Sequence, residues 1–168
     1  MPNWAEGSLK IRGLIKNIKR FLDDGIQKKV LNIFGKEMDE DIVTFTDWSD
    51  ECGIEYEYHF LGASHIKHTS RAFVDPEIVK YGEYAYLNGK STEDIDTIAL
   101  PFKQAWKAEA KSFEEISKEY GIDIAIHTFE KGAEFEQDIF IKDGEIVKDE
   151  IIEYDNYQFG SALPMLGG

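Results

Sequence analysis

LPFKQAWKAEAKSFEEISKEYGIDIAIHTFEKGAEFEQDIFIKDGEIVKDEIIEY, residues Leu100–Tyr154, carries the pattern that decides the fold. Starting at Phe102, the residues Trp106, Ala110, Phe113, Ile116 and Tyr120 recur at steps of three and four. This spacing predicts a helix of about five turns with one aromatic-rich stripe, and Lys and Glu on its other face. Gly121 stands where a helix C-cap glycine belongs. Ile122, Ile124 and Ile126 then change the period to two, which predicts a strand with one buried face. Lys131-Gly132 and Asp143-Gly144 punctuate two further alternating runs. Helix, strand, hairpin, hairpin is the local expectation.

Toward the amino end, Leu9 and Ile11 alternate with Lys10 and Arg12, so Ser8–Arg12 is an expected strand. Ile15, Ile18, Phe21 and Leu22 follow at helical spacing, and Gly25 is a natural stop. A lone Gly13 between them cannot cradle a phosphate. Gln27–Phe34 fits either a strand or a continued helix. Strands are expected over Ile42–Thr46, Ile54–Phe60, Ile66–Val74 and Thr97–Leu100, the last ended by Pro101. Pro76 suits the first turn of a short helix through Tyr81. Tyr84–Leu87 is a short apolar run before an Asn88-Gly89 turn.

Two strand–helix units bracketing antiparallel pairings make the expected fold α+β: a ferredoxin-like antiparallel sheet with two main helices on one face. Residues 1–155 form one domain, with 37–96 as an elaborated middle block. Residues 156–168, rich in glycine, read as a loosely ordered tail.

Composition narrows the function classes. A chain of 168 residues with 42% hydrophobic and 13% aromatic content is long enough to bury roughly 70% of its unfolded surface, so no metal or disulfide is needed. The single Cys52 and the absence of a secretory leader point to a reducing cytoplasm. No apolar run approaches the roughly 18 residues of a membrane span. The formal charge of −14 disfavours general binding to nucleic acid or anionic lipid and favours docking on a basic partner.

The opening Met1-Pro2-Asn3-Trp4, the Leu9/Ile11 strand, Gly13 and the helix with Ile18 and Phe21 together resemble the YubB-type ferredoxin-like proteins of bacteriophages, prophages and plasmids. Ala105-Trp106, the helix to Tyr120 and the Phe129-Glu130…Gly132…Phe135 hairpin are similar to that family's late segment. The likeness covers about the first 25 residues and roughly 100–145. Ala5-Glu6-Gly7 stands where the family usually has Cys-Glu-Asn. The resemblance implies a ferredoxin-like fold and a mobile-element origin, and it carries no catalytic residues to transfer.

Individual chemistries fare unevenly. His65 and His68, three apart in an expected strand, would point to opposite faces, which opposes a shared metal site. Asp50 and Glu51 beside Cys52 would raise a thiol pKa and oppose a thiolate nucleophile. The acid pairs Glu114-Glu115, Glu134/Glu136 and Asp149-Glu150 follow from 33 acidic residues without a cleft to organise them. No catalytic residue, metal or cofactor is therefore expected, and an enzyme would need a site that the spacing does not reveal. A nucleic-acid-binding alternative would use Arg12, Lys16, Lys19 and Arg20 against phosphate, with Tyr56, Tyr58 and Phe60 as stacking residues.

The stronger expectation lies in the acidic hairpins. Period two would place Glu134, Glu136 and Asp138 in a row about 6.5–7 Å apart, near the phosphate repeat of a nucleic-acid strand. Asp149, Glu150 and Glu153 would extend the patch. Such a face fits a host protein with a basic surface. The expected role is thus a phage-encoded, non-catalytic antagonist of a nucleic-acid-handling defence system, of the anti-CRISPR or anti-restriction type. The oligomeric state is left open.

Overall fold

Strand β1 (Trp4–Leu14) occupies the middle of the sheet and alternates so that Ala5, Leu9 and Ile11 are buried on one face. Leu9 and Ile11 are fully covered, whereas Lys10 and Arg12 between them are exposed. The computed structural model describes residues 3–28, 64–74 and 84–168. After β1 come α1 (Ile15–Arg20), a π-helical turn (Phe21–Gly25) and β2 (Ile26–Lys28). Then follow β3 (Ser64–Ile66), β4 (Ala72–Val74), the one-turn helix α2 (Tyr84–Leu87) and β5 (Ile95–Ala105). Helix α3 (Ala110–Tyr120), β6 (Asp123–Glu130), β7 (Phe135–Lys142), β8 (Glu145–Glu153) and the short α4 (Tyr157–Gly160) complete the chain.

The described strands form one eight-stranded sheet in the order β2-β3-β4-β5-β1-β6-β7-β8, with every neighbouring pair antiparallel. This is the α+β class expected from the sequence. Helices α1 and α3 bury Ile15, Ile18, Phe113 and Ile116 in a single cluster with Leu9, Ile11, Ile98, Leu100, Ile124 and Ile126. That cluster defines the helix-covered face. The opposite face carries Lys10, Arg12, His127, Asp138 and Phe140, all half-buried or exposed.

The helix expected from Phe102 is shorter than its apolar spacing suggests. Phe102 lies within β5, paired with Gly7 on one side and Val74 on the other, and Trp106 takes a positive φ of 71°. Only Ala110, Phe113, Ile116 and Tyr120 form the helical stripe. Pro101 does not end β5. It sits opposite Ser8, while β4 pairs only with Phe102–Gln104. Among the described residues the flank of β5 away from β1 has no partner strand at Pro101, and a residue without an N–H is tolerated there.

The single strand expected over Ile66–Val74 is instead two short strands around a tight reversal. Left-handed His68 (φ 63°) and Arg71 (φ 53°) make the bend, a conformation that period-two reading does not anticipate. Tyr84–Leu87 is helical. The strands expected at Ile42–Thr46 and Ile54–Phe60, the Pro76 helix and Cys52 fall outside the described residues.

Helix α3 ends as its glycine requires. Gly121 adopts a left-handed φ of 65° and donates its N–H to Ser117 at 2.9 Å, the arrangement a C-terminal glycine permits at no Cβ cost. Gln137, buried on the helix-covered face, ties the start of this helical segment to β7. Its amide nitrogen donates to the Ala108 carbonyl (3.1 Å) and its oxygen accepts from the Ala108 N–H (3.0 Å).

Candidate functional site

Strand β7 enters from a four-residue turn and leaves through a two-residue one. At the first, the Glu130 carboxylate, 1% exposed, accepts the N–H groups of Gly132 (2.7 Å) and Ala133 and so fixes the turn. At the second, Asp143 and Gly144 have φ of 52° and 76°. Two positive values are what a tight hairpin between right-twisted strands needs. Ile139 and Ile141 face the helices. Alternation then sends Glu136 and Asp138 to the opposite face.

The expected outward row of three carboxylates is not what this geometry builds. Glu134 lies in the turn before β7, at a φ of 57°, and is exposed. Glu136 is buried under the C-terminal segment, where it accepts the Ser161 hydroxyl (2.6 Å) and the Ala162 N–H (3.2 Å). Asp138 is half-buried between His127 Nδ1, with which it hydrogen-bonds, and Lys148 Nζ at 2.9 Å. Lys148 also reaches Glu150 at 3.2 Å. The cause is register: His127, Asp138 and Glu150 stand side by side on β6, β7 and β8. Cross-strand partners of opposite charge attract one another before they attract a third molecule.

Electrostatics agree with that reading. Burial raises the Asp138 pKa, but hydrogen bonds from His127 and Lys148 outweigh it and hold the carboxyl below its ordinary value. The Asp138 hydrogen bond, followed by that of Glu150, raises Lys148. Burial, then the hydrogen bond to Glu136 and its charge, push the Tyr154 phenol upward.

A depressed carboxyl contributes stability that is present above its unfolded value and lost as pH falls through its folded value. Acid unfolding between about pH 5 and pH 2 should therefore flatten in Asp138→Asn. Melting temperatures measured across that range should converge with those of the wild type at the acid end.

The carboxylates on β8 are arranged differently. Asp149 accepts from Gln137 Nε2 at 2.9 Å on the helix-covered side. Glu145, Glu150 and Glu153 are exposed, and Glu134, Glu145 and Glu153 make no ion pair among the described residues. Between them stand exposed aliphatic side chains: Val147 at 63%, Ile151 at 44% and Ile152 at 48%. β8 pairs only with β7 and ends the described sheet.

The alternative basic group divides between two sides of the molecule. Arg12 is on the face opposite the helices, with Lys10. Lys16 bridges Glu93 (2.9 Å), Lys19 reaches Asn88 (3.2 Å), and Arg20 donates to the Glu119 carbonyl and lies 5.2 Å from the Tyr120 ring centre. His65 Nε2 lies 3.1 Å from the Thr69 carbonyl oxygen, whereas His68 is exposed. Among the described residues no group of three or more His, Cys, Asp or Glu side chains could hold a metal ion. No described helix is long and apolar enough to cross a membrane.

Sequence reasoning missed two groupings. The His127–Asp138 pair was one: it follows from the β6–β7 register, which alternation within a single strand does not supply. The cluster of Trp4, Phe73, Arg71 and Lys103 was the other. Trp4 meets Phe73 edge-on at 5.9 Å, with Arg71 and Lys103 at 5.6 and 5.2 Å from its ring centre. It depends on β4 pairing with β5, which no local pattern announces. The segment after Tyr154 is tied to the sheet by buried Tyr157, the Ser161–Glu136 bond and the Gly168 N–H to the Trp4 carbonyl (3.1 Å). No protein-family model matches the chain, and neither a curated protein nor a solved structure is significantly similar to it.

Proposed function

We propose that this chain is a non-catalytic binding protein that docks on a basic surface of another protein through the β7–β8 ribbon. The observation that carries this reading is the surface of β8. Exposed Val147, Ile151 and Ile152 are interspersed along the strand with the carboxylates Glu145, Glu150 and Glu153. Apolar side chains set among charged ones are how protein interfaces combine affinity with orientation. The contribution of Glu136 and Asp138 is internal: they hold the ribbon and the C-terminal segment in place. A bacteriophage or similar mobile element is the proposed source, the bacterial cytoplasm the site of action, and a nucleic-acid-handling defence system the target. These finer elements rest on the resemblance over about the first 25 residues and roughly 100–145, and on the net charge of −14.

The fold is proposed to be an expanded ferredoxin-like sheet. The order β6-β1-β5, with α1 after β1 and α3 between β5 and β6, supports it, and β3 and β4 are then insertions between β5 and β2.

Reversing Glu134, Glu145 and Glu153 to Lys together tests the binding role. The variant should keep the wild-type melting temperature and lose capture of the protein that the wild type retains from bacterial host lysate at low salt. Capture of the same protein at the same level by both chains would count against the ribbon. Retention of DNA or RNA by the wild type, tightened in the variant, would transfer the role to a nucleic-acid surface.

A further inference from the structure

Strand β8 reads Glu145-Ile-Val-Lys-Asp-Glu-Ile-Ile-Glu153, and this sequence is nearly symmetric about Asp149. Glutamates stand at both ends, aliphatic pairs inside them, and Lys148 and Glu150 flank the centre. We propose that β8 is a self-complementary pairing edge on which a second copy of this chain lays its own β8, antiparallel, around a two-fold axis at Asp149.

A two-fold axis perpendicular to a sheet keeps each residue on its own face, so partners must lie an even number of positions apart. Three registers then come into question. Centred on Asp149, Lys148 meets Glu150 twice and Val147 meets Ile151, while the register shift sets Ile146 and Ile152 on opposite faces. Centred on Glu150, Lys148 meets Ile152, Asp149 meets Ile151 and Val147 meets Glu153. Centred on Lys148, two lysines coincide, and Val147 and Ile146 face Asp149 and Glu150. Only the first sets opposite charges together and leaves Val147 and Ile151 against one another.

The like charges in that register are already managed. Asp149, at the axis, is held toward its own β7 by Gln137 Nε2 at 2.9 Å. Glu145 and Glu153 fall on opposite faces because of the register shift, so they do not oppose one another. The register shift between Phe140 and Ile141 bends the start of β8, so the regular pairing runs from Val147 to Ile151. Lys148 and Glu150 share the face opposite the helices with Asp138, which stands beside Glu150 in the β7–β8 register. Edge pairing consumes backbone N–H and C=O groups that otherwise template aggregation. It also leaves the side chains of both ribbons on the two faces. The inference stands independently of the proposed binding role.

Sedimentation equilibrium of the full chain over ~1–200 µM tests it. The expected mass at the upper end is twice the 19.3 kDa chain. Glu150→Lys should weaken association roughly tenfold or more, since it turns both cross-strand pairs into repulsions. The exchanged pair Lys148→Glu with Glu150→Lys should restore it, because Lys at 150 then faces Glu at 148 of the other copy and also stands beside Asp138. Melting temperatures serve as the folding control. A folded wild type that stays monomeric throughout would overturn the proposal. So would a dimer indifferent to Glu150→Lys, or an exchanged pair no better than Glu150→Lys alone.

Discussion

A Gly7→Val chain should lose at least ~3 kcal/mol of stability and melt roughly 6–12 °C lower than the wild type. Gly7 sits in β1 between Phe102 of β5 and Thr128 of β6. A Cβ at this position would stand 2.0 Å from the His127 carbonyl oxygen and 2.9 Å from both its carbon and the Thr128 Cα. All three neighbours are backbone, so no side-chain rotation relieves the clash. Either β1 and β6 separate and forfeit ladder hydrogen bonds, or the strand shifts and disturbs the buried contacts of Leu9 and Ile11. Calorimetry or a circular-dichroism melt decides. A shift within about 2 °C would mean that β1 and β6 do not approach as described.

Phe113→Ala should cost about 3–5 kcal/mol. Phe113 is fully buried on α3 and meets Phe102 of β5 edge-on, ring centres 5.7 Å apart. Its loss leaves a void between helix and sheet that neighbours anchored in strands cannot fill. Phe159→Ala provides the contrast: that ring is 92% exposed on α4, and its removal should change stability by no more than about 0.5 kcal/mol. Urea unfolding measures both. A Phe113→Ala loss below about 1 kcal/mol would show that α3 is not docked on the sheet through this ring.

The sequence was most legible where a short local pattern controls the outcome. Ile122, Ile124 and Ile126 announced a strand with one buried face, and Asp143-Gly144 announced the hairpin that folds β8 back along β7. Both depend on residues within one turn or one strand of each other. The extent of β5 was hidden because Phe102 and Trp106 coincide with the helical period of the residues after them. The physical choice there was made at long range, by pairing of Phe102 with Gly7 and Val74. The His68–Arg71 reversal was hidden for a related reason: positive φ at non-glycine residues is stabilised by surroundings that composition does not reveal.

The acidic surface was half legible. Alternation put Glu136 and Asp138 on the face away from the helices. Alternation alone does not say what stands across from them. His127 and Lys148 came from neighbouring strands, and Ser161 from the segment that returns over the sheet. A carboxylate read as outward from one strand can be capped or neutralised by the next, and only register decides which. The charges left to solvent are those at the ends and outer side of the ribbon, where no further described strand follows.

Amide hydrogen exchange along β8, read residue by residue in the dilute full-length chain, tests the free edge most directly. The expected result is alternation: amides directed at β7 exchange slowly, and those directed away exchange nearly as fast as in an unfolded peptide, while β1 is protected on both flanks. Uniform protection of every β8 amide at the lowest concentration would contradict it, because some other part of the same chain would then cover the edge.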